Sequence, residues 1–170
     1  LEHAHSRWVL HRDIKTENIM IGDFGQTFLI DWGISIDLRE KDACITTKKF
    51  VGTPCFAAPE MVNEGQTLVP ATDVYLLGAM LFEIMTGTVP HQGRSIDEIL
   101  GKAKRGHRPN IPSSVPPALA SIIGNALEPE IQNRYNNATE FRLAVQRYKA
   151  AHFLLEQLRL VEQQIATLRH

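Results

Sequence analysis

The most continuous apolar stretch of the chain covers residues 74–85 and contains one charged residue, Glu83. Its apolar positions occupy almost every face of a helix, and a helix that is apolar all round is a buried one. The stretch is too short to span a bilayer comfortably. We therefore predict a buried central helix over 73–86, with Thr72 as its N-cap and Gly87 immediately beyond its end.

Two shorter apolar runs, 19–21 and 28–30, are separated by the turn-forming residues 22–26. Short apolar runs on either side of Gly and Asp predict a β-hairpin. Pairing of the two strands would bring Asn18, at the entry of the hairpin, next to Asp31, at its exit. The pattern thus predicts two oxygen ligands close together.

The second half of the chain carries further helical patterns. Ser95 opens a capping-box sequence that predicts a short amphipathic helix to about Lys104, and helices are also predicted over 117–127 and 138–150. The stretch 151–170 has an apolar seam formed by Leu154, Leu158, Val161, Ile165 and Leu168. Because so short a seam does not define a coiled coil, three interpretations stay open: self-association, docking on the rest of the chain, or continuation into further sequence.

Composition narrows the class of protein. A length of 170 residues with 44% hydrophobic content fits one globular unit, and a net charge of -1 with a pI near 6.7 argues against nucleic acid or an anionic membrane as the main partner. The basic cluster 105–109 is interpreted as a solvated loop. Cys44 and Cys55 are too few and too far apart for a CxxC site, and they fit a reducing compartment. Residues 1–8 read as the end of a helix and not as a signal peptide. We expect a cytoplasmic location, the alternative being a parent protein anchored in a membrane outside this segment.

Residues 11–18 place an acid, a cation and an amide in one short stretch, His-Arg-Asp-Ile-Lys-Thr-Glu-Asn. Asp13 can accept a proton, and Lys15 can face a phosphate from the same extended segment. Asn18 offers a neutral oxygen ligand suited to a hard cation such as Mg²⁺. The spacing predicts a loop built for phosphoryl transfer, and the alternative interpretation is a solvated turn of mixed charge.

Two acid–aromatic–glycine triplets follow this loop, one beginning at Asp23 and one at Asp31. The first falls in the expected hairpin turn, which points away from Asp13. The second falls where the returning strand ends beside Asn18. We therefore predict that Asp31 is the metal ligand and that Asp23 is an ordinary turn residue, whereas the alternative for Asp31 is a solvated acid at a strand end.

Together with Gly-Thr-Pro-Cys-Phe-Ala-Ala-Pro-Glu at 52–60, these motifs resemble the C-terminal lobe of a eukaryotic-like (Hanks-type) serine/threonine protein kinase. The likeness covers residues 1–149 and leaves 150–170 as a helical extension, and its style is closer to bacterial members of the family. It implies a mainly α fold in which the small hairpin carries the metal ligands. It also implies ATP with Mg²⁺ or Mn²⁺ as cofactors, and Ser or Thr hydroxyls of proteins as phosphoryl acceptors.

By this resemblance Asp13 is the catalytic base and Lys15 neutralises the transferred phosphate. Lys15, Asn18 and Asp31 would bind the cofactor, with Asn18 and Asp31 as the Mg²⁺ ligands. Lys at position 15 is the family's signature of serine/threonine specificity. The ring of His11 is expected to be a packed structural group.

The polar connection over residues 33–60 resembles the activation segment of the family, and the resemblance assigns several of its contacts. Arg12 would pair with a phosphate on this segment, and Thr46 or Thr47 are the candidate phosphorylation sites, the alternative being an unmodified polar loop. Thr53 would contact Asp13 and Lys15 and favour Ser/Thr substrates.

Three further residues are expected to support the site. Glu60 and Arg134 would form a buried ion pair, and Asp73 would hold the backbone of the loop that carries Asp13. The sequence departs from the family pattern at Tyr75, where Trp is common, and at 130–131, where Asp-Pro is common. We expect the first change to be harmless.

The chain contains no GxGxxG motif, and the residues before His11 are too few for a five-stranded N-terminal lobe. We therefore expect a kinase fragment whose N-terminal lobe is a missing partner, and which by itself binds ATP poorly and phosphorylates little. A pseudokinase and a C-lobe scaffold that acts by protein interaction are the alternative functions.

Overall fold

The computed structural model describes residues 1–40, 45–46 and 49–168, with side chains described up to residue 164. Its centre is the helix α3, Pro70–Thr86, which packs against α5, Pro117–Ala126, and α6, Ala138–Leu168. Most of the regular structure in the described residues is helical, so the mainly α prediction is confirmed. The predicted burial of the central helix holds for its core-facing side: Val74, Tyr75, Leu76, Ala79 and Phe82 are at most 4% exposed, whereas Ile84 is 60% exposed.

The start of α3 differs from the prediction. Pro70 occupies the first helical position and Val69 is the N-cap, so Thr72 lies inside the helix. Proline is suited to this position because its fixed φ is already helical and it has no N–H to satisfy. Thr72 instead accepts a hydrogen bond from the Val69 N–H through its Oγ1, at 3.1 Å. The helix ends where predicted, since Gly87 follows it with a φ of 71°.

Gly78 allows α3 and α5 to approach closely. A Cβ atom added at Gly78 would lie 2.5 Å from the Cβ of Ala126. The two helices therefore meet backbone to backbone at this point. This contact fixes α5 against the central helix.

The predicted hairpin is present as β2, Ile19–Ile21, and β3, Thr27–Leu29, with Ile19 opposite Leu29. Its turn lies at 22–26, where Gly25 has a φ of 79°. A second antiparallel pair, β1 (Val9–Leu10) with β4 (Ile36–Asp37), was not predicted. Together these two small sheets hold the loop of residues 11–18 between them.

The remaining helices are short. They are α1, Glu2–Ser6, α2, Pro59–Val62, and α4, Ile96–Lys104, and 3₁₀ turns lie at Thr16–Asn18, Pro54–Phe56 and Ile131–Asn133. Ser95 caps α4 as predicted, because its hydroxyl accepts a hydrogen bond from the Glu98 N–H.

The helix α6 runs without a break across residues 149 and 150, the boundary expected from the sequence. Residues 151–164 are all exposed, so of the three open interpretations the structure does not support docking of this part on the rest of the chain. The docked part of α6 ends near Tyr148, which packs against the core. No helix within the described residues is both long enough and apolar enough to cross a membrane.

Candidate active site

The loop of residues 11–18 is extended and ends in the 3₁₀ turn Thr16–Asn18. Arg12 has a φ of 67°, a left-handed conformation that a non-glycine residue adopts at an energetic cost. The Asn18 N–H donates to the Lys15 carbonyl oxygen at 3.1 Å and closes the turn. The loop thereby brings Asp13, Lys15 and Asn18 to one place.

Four side chains form what we call the Asp13 cluster: Asp13, Lys15, Asn18 and Thr53. The Thr53 hydroxyl donates to Asp13 Oδ1 at 2.6 Å, and Lys15 Nζ donates to the same hydroxyl at 2.9 Å. Lys15 Nζ also lies 3.3 Å from Asp13 Oδ2. A cation and a hydroxyl thus surround one carboxylate, as predicted for Thr53 from the resemblance.

Asn18 is buried and holds Asp13 from the other side. Its Nδ2 donates to the Asp13 backbone oxygen at 2.7 Å and to Asp13 Oδ2 at 3.2 Å. These bonds engage the amide nitrogen, so Asn18 Oδ1 remains as an oxygen ligand. The Oδ1 atom of Asn18 is therefore available to bind a hard cation.

The hairpin brings Asp31 back towards Asn18. The Ile30 N–H donates to the Asn18 carbonyl oxygen at 2.9 Å, which extends the ladder by one step beyond the strands. Asp31 has a φ of 60° and its carboxylate is exposed, with one long contact of 3.4 Å to the Gly33 N–H. Asp23, by contrast, is exposed in the turn at the far end of the hairpin.

The side chains of Asn18 and Asp31 offer oxygen atoms, the ligand type that Mg²⁺ prefers. Magnesium is commonly held by one or two protein oxygens together with substrate phosphates and water. Groups of three or more His, Cys, Asp or Glu side chains able to hold a metal do not occur among the described residues. A pair of protein oxygens such as those of Asn18 and Asp31 is the kind of donor set found where Mg²⁺ is shared with a phosphate ligand.

Asp73 supports the loop from below, at the start of the buried helix. It is 0% exposed, and its carboxylate accepts hydrogen bonds from the backbone N–H groups of His11 and Arg12, both at 2.9 Å. His5 on α1 adds a third contact, with Nε2 at 2.8 Å from Asp73 Oδ2. The contact between His5 and Asp73 was not predicted from the sequence, because nothing in the local pattern distinguishes His5 from other histidines at helix ends.

The ring of His11 links the loop to the end of the hairpin. Its Nδ1 accepts a hydrogen bond from the Asp13 N–H at 3.2 Å, and Nε2 lies 3.0 Å from the Ile30 carbonyl oxygen. Because Nδ1 accepts, Nε2 carries the proton and donates. The ring also packs edge-on against Trp32, with 4.5 Å between the ring centroids. His11 is therefore a structural residue that sets the distance between Asp13 and the segment that joins β3 to Asp31.

The structure locates Arg12 and part of the activation segment. Arg12 Nε donates to the Ile34 carbonyl oxygen at 2.7 Å, and burial lowers the pKa of its guanidinium while Asp73 opposes that shift. Thr46 is buried, and its hydroxyl donates to the Glu60 carbonyl oxygen at 2.6 Å. The hydroxyl of Thr46 is thus turned into the protein in this conformation. Thr47, the other candidate phosphorylation site, lies outside the described residues.

Glu60 and Arg134 form a buried, two-pronged ion pair, with N···O distances of 2.6 and 2.8 Å. Arg134 also donates to the backbone oxygens of Ala71, Glu128 and Pro129. Its guanidinium lies over the ring of Tyr75, 4.8 Å from the centroid. This ion pair anchors the end of the activation segment to the helical core.

Two further contacts near the site were not expected from the sequence. The Thr16 hydroxyl donates to Glu83 Oε2 on α3 at 2.7 Å. Tyr75 and His91 stack with an interplanar angle of 14° beneath the segment that follows Thr53. Burial raises the pKa of the Tyr75 hydroxyl, and it also raises that of the Cys55 thiol in the same segment.

Comparison with known proteins agrees with this geometry. Residues 1–146 match the family model described as "Protein kinase domain". The chain is 29% identical to serine/threonine-protein kinase PknD of Chlamydia pneumoniae, over 84% of its own length and 17% of the relative. It is 32% identical to PknD of Protochlamydia amoebophila, over 86% of its length and 17% of the relative. It is 31% identical to the probable serine/threonine-protein kinase PknB of Lactococcus lactis, over 82% of its length and 22% of the relative.

The chain thus spans about a fifth of the length of these bacterial relatives. The matched region contains the Asp13 cluster, the hairpin and the Glu60–Arg134 ion pair. On the family match and these identities, the chain belongs to the Hanks-type protein kinase family.

Proposed function

We propose that this chain is the C-terminal lobe of a serine/threonine protein kinase, which transfers the γ-phosphoryl group of ATP to Ser or Thr hydroxyls of proteins. The observation that carries the proposal is the contact of the Thr53 hydroxyl with Asp13 at 2.6 Å and with Lys15 at 2.9 Å. Thr53 thereby holds a carboxylate and an ammonium group side by side, the two groups that would orient a substrate hydroxyl and neutralise charge during phosphoryl transfer.

Each residue of the Asp13 cluster has a task in this proposal. Asp13 accepts a hydrogen bond from the substrate hydroxyl, orients it and takes its proton. Lys15 neutralises negative charge that develops beside Asp13 during transfer. Thr53 places the acceptor segment against both, and Asn18 keeps the carboxylate of Asp13 in place through its 3.2 Å hydrogen bond.

Asn18 and Asp31 would hold Mg²⁺, which when bound with ATP supplies charge neutralisation for the phosphates. The exposed position of Asp31 at the end of β3 leaves its carboxylate accessible to a metal–nucleotide complex. The hairpin also exposes Met20, Ile21 and Phe28, at 55%, 77% and 55%. We propose that an N-terminal kinase lobe and the nucleotide base cover Met20 and Phe28, which pair across the hairpin and share one of its faces.

The test compares two acids that differ only in position. In a complete kinase containing this chain, Asp31→Asn is expected to abolish peptide phosphorylation, whereas Asp23→Asn is expected to keep the wild-type rate. Asp13→Asn should lower kcat by about 10²- to 10⁴-fold, the range for removing a general base. Activity in Asp31→Asn but not in Asp23→Asn would reverse the assignment, and full activity in Asp13→Asn would refute the proposed mechanism.

A second function, an interaction scaffold without phosphoryl transfer, is favoured by the exposed apolar side chains on α6. Phe153, Leu154, Leu155 and Leu158 are all at least 51% exposed. If scaffolding is the function, Asp13→Asn and Asp31→Asn leave partner binding unchanged, and only changes on this face weaken it. A pull-down with these variants separates the two functions.

A further inference from the structure

His91, in the connection between α3 and α4, holds the segment after Thr53 at two points. Its backbone N–H donates to the Cys55 carbonyl oxygen at 3.2 Å. Its ring Nε2 lies 3.2 Å from the Ala57 carbonyl oxygen and 3.0 Å from the Tyr75 hydroxyl. His91 is 0% exposed, so these contacts are made entirely inside the protein.

The contact with Ala57 fixes the position of the ring proton. A carbonyl oxygen only accepts hydrogen bonds, so Nε2 must carry the proton and donate. The hydroxyl oxygen of Tyr75 is then a second acceptor for the same N–H. Burial lowers the pKa of His91 to about 4, which keeps the ring neutral near pH 7.

The same assignment leaves the other ring nitrogen unsatisfied. Nδ1 of His91 is buried and has no hydrogen-bond partner among the residues that the structure describes. A buried acceptor without a partner is destabilising, and an unsatisfied group in a folded protein calls for an explanation. A phenylalanine would keep an aromatic ring at this position without this defect. The imidazole therefore offers one thing that an apolar side chain cannot, a donor for the Ala57 carbonyl.

The position of that carbonyl connects His91 to the Asp13 cluster. Pro54–Phe56 forms a 3₁₀ turn in which the Phe56 N–H donates to the Thr53 carbonyl oxygen at 3.1 Å and the Ala57 N–H donates to that of Pro54 at 3.2 Å. One end of this turn is thus held by His91, and the other end is Thr53.

We propose that His91 is a positioning residue: by holding the Cys55 and Ala57 carbonyls it fixes the 3₁₀ turn, and through the turn it fixes the hydroxyl of Thr53 in the Asp13 cluster. The catalytic consequence rests on the proposed kinase function, whereas the effect on the turn does not. His91 would accordingly govern how the acceptor segment of a protein substrate is bound, and leave the binding of ATP unaffected.

The first test is hydrogen–deuterium exchange of the 170-residue chain, followed by mass spectrometry. In His91→Phe, the segment 53–58 is expected to exchange roughly tenfold faster, the factor for loss of one hydrogen bond, while the exchange of α3 stays unchanged. His91→Gln, whose Nε2 can replace the ring donor, should restore slow exchange. Tyr75→Phe keeps the stacked ring and the donor and is the matched control, expected to behave like the wild type. Unchanged exchange in His91→Phe, or equal acceleration of the segment and α3, would overturn the proposal.

The second test measures kinetics in a complete kinase containing this chain. His91→Phe is expected to raise the KM for a peptide substrate roughly tenfold, with the KM for ATP unchanged, and His91→Gln should recover most of the loss. If the wild type phosphorylates nothing, the proposed function fails and the exchange experiment alone decides the role of His91. If the wild type is active and His91→Phe keeps its peptide KM, the positioning role fails and the kinase function stands.

Discussion

Replacing Arg134 by methionine is expected to be among the most destabilising single changes in this chain. The side chains of Arg134 and Glu60 are 0% and 3% exposed, so neither charge has water to compensate for a lost partner. Methionine has a similar length but no charge and no donors. It would leave the Glu60 carboxylate buried and unpaired, together with the carbonyl oxygens that Arg134 now satisfies.

The magnitude follows from this burial. Breaking a buried ion pair by removing one partner costs about 3–5 kcal/mol in the free energy of unfolding. A typical domain has about 5–15 kcal/mol in total, so the loss is a large part of the stability. With a urea m-value of about 1–3 kcal/mol/M, the midpoint of unfolding should fall by about 2 M. Urea titration followed by far-UV circular dichroism at pH 7 measures this shift.

The double variant Glu60→Gln/Arg134→Met is the control, because it contains no stranded charge. It is expected to be more stable than the sum of the two single changes predicts, by about 2 kcal/mol or more. An Arg134→Met midpoint within 0.5 M of the wild type, on the order expected for a surface substitution, would refute the reasoning. Strict additivity in the double variant would show that the two charges do not stabilise each other.

Three other predictions concern stability and assembly. His91 binds a proton near pH 4 in the folded state and near its ordinary pKa of about 6.5 in the unfolded state. The free energy of unfolding should therefore fall by about 3 kcal/mol as the pH drops from 6.5 to 4. Urea unfolding of the wild type and of His91→Phe at pH 7 and pH 4.5 measures this loss, which the variant should lack. Gly78→Ala should destabilise by about 1–3 kcal/mol, because its Cβ would meet Ala126, and adding Ala126→Gly should restore part of the urea midpoint; no effect would mean that the helices can move apart. If the exposed face of α6 mediates self-association, light scattering after size exclusion should give a dimer for the chain and a monomer for a version ending at residue 150. A monomeric mass for both versions would exclude self-association through α6.

The hairpin and the buried helix could be predicted because their signals are local. Two short apolar runs around a turn with two glycines define β2 and β3, and a long stretch with a single charged residue, followed by Gly87, defines α3. The pairing of Asn18 with the Asp31 end followed from the hairpin geometry alone. The start of α3 was misplaced because Thr72 is a good N-cap residue, but the helix begins at Pro70, three residues before the predicted start at 73.

Contacts between distant segments were harder to predict. His5 reaches Asp73 across 68 positions, and His91 reaches Ala57 across 34, and neither histidine belongs to a recognisable local motif. Such contacts are set by how the helices pack, which depends on details such as the missing side chain at Gly78. The Glu60–Arg134 pair is just as distant, and it was anticipated only through the family resemblance.

The continuous helix α6 makes the outer part of the chain a rigid lever. Its 31 residues extend about 46 Å, and Phe141, near its start, is 8% exposed in the core. Tilting the helix by about 10° around that point would move the far end by about 7 Å, given a rise of 1.5 Å per residue. A force on the projecting turns of α6 would therefore act on the contact between α5 and α6, where the displacement is smaller and the force is larger. Conversely, a change in the packing of α6 against α5 would move the projecting end of α6 and any partner bound to it.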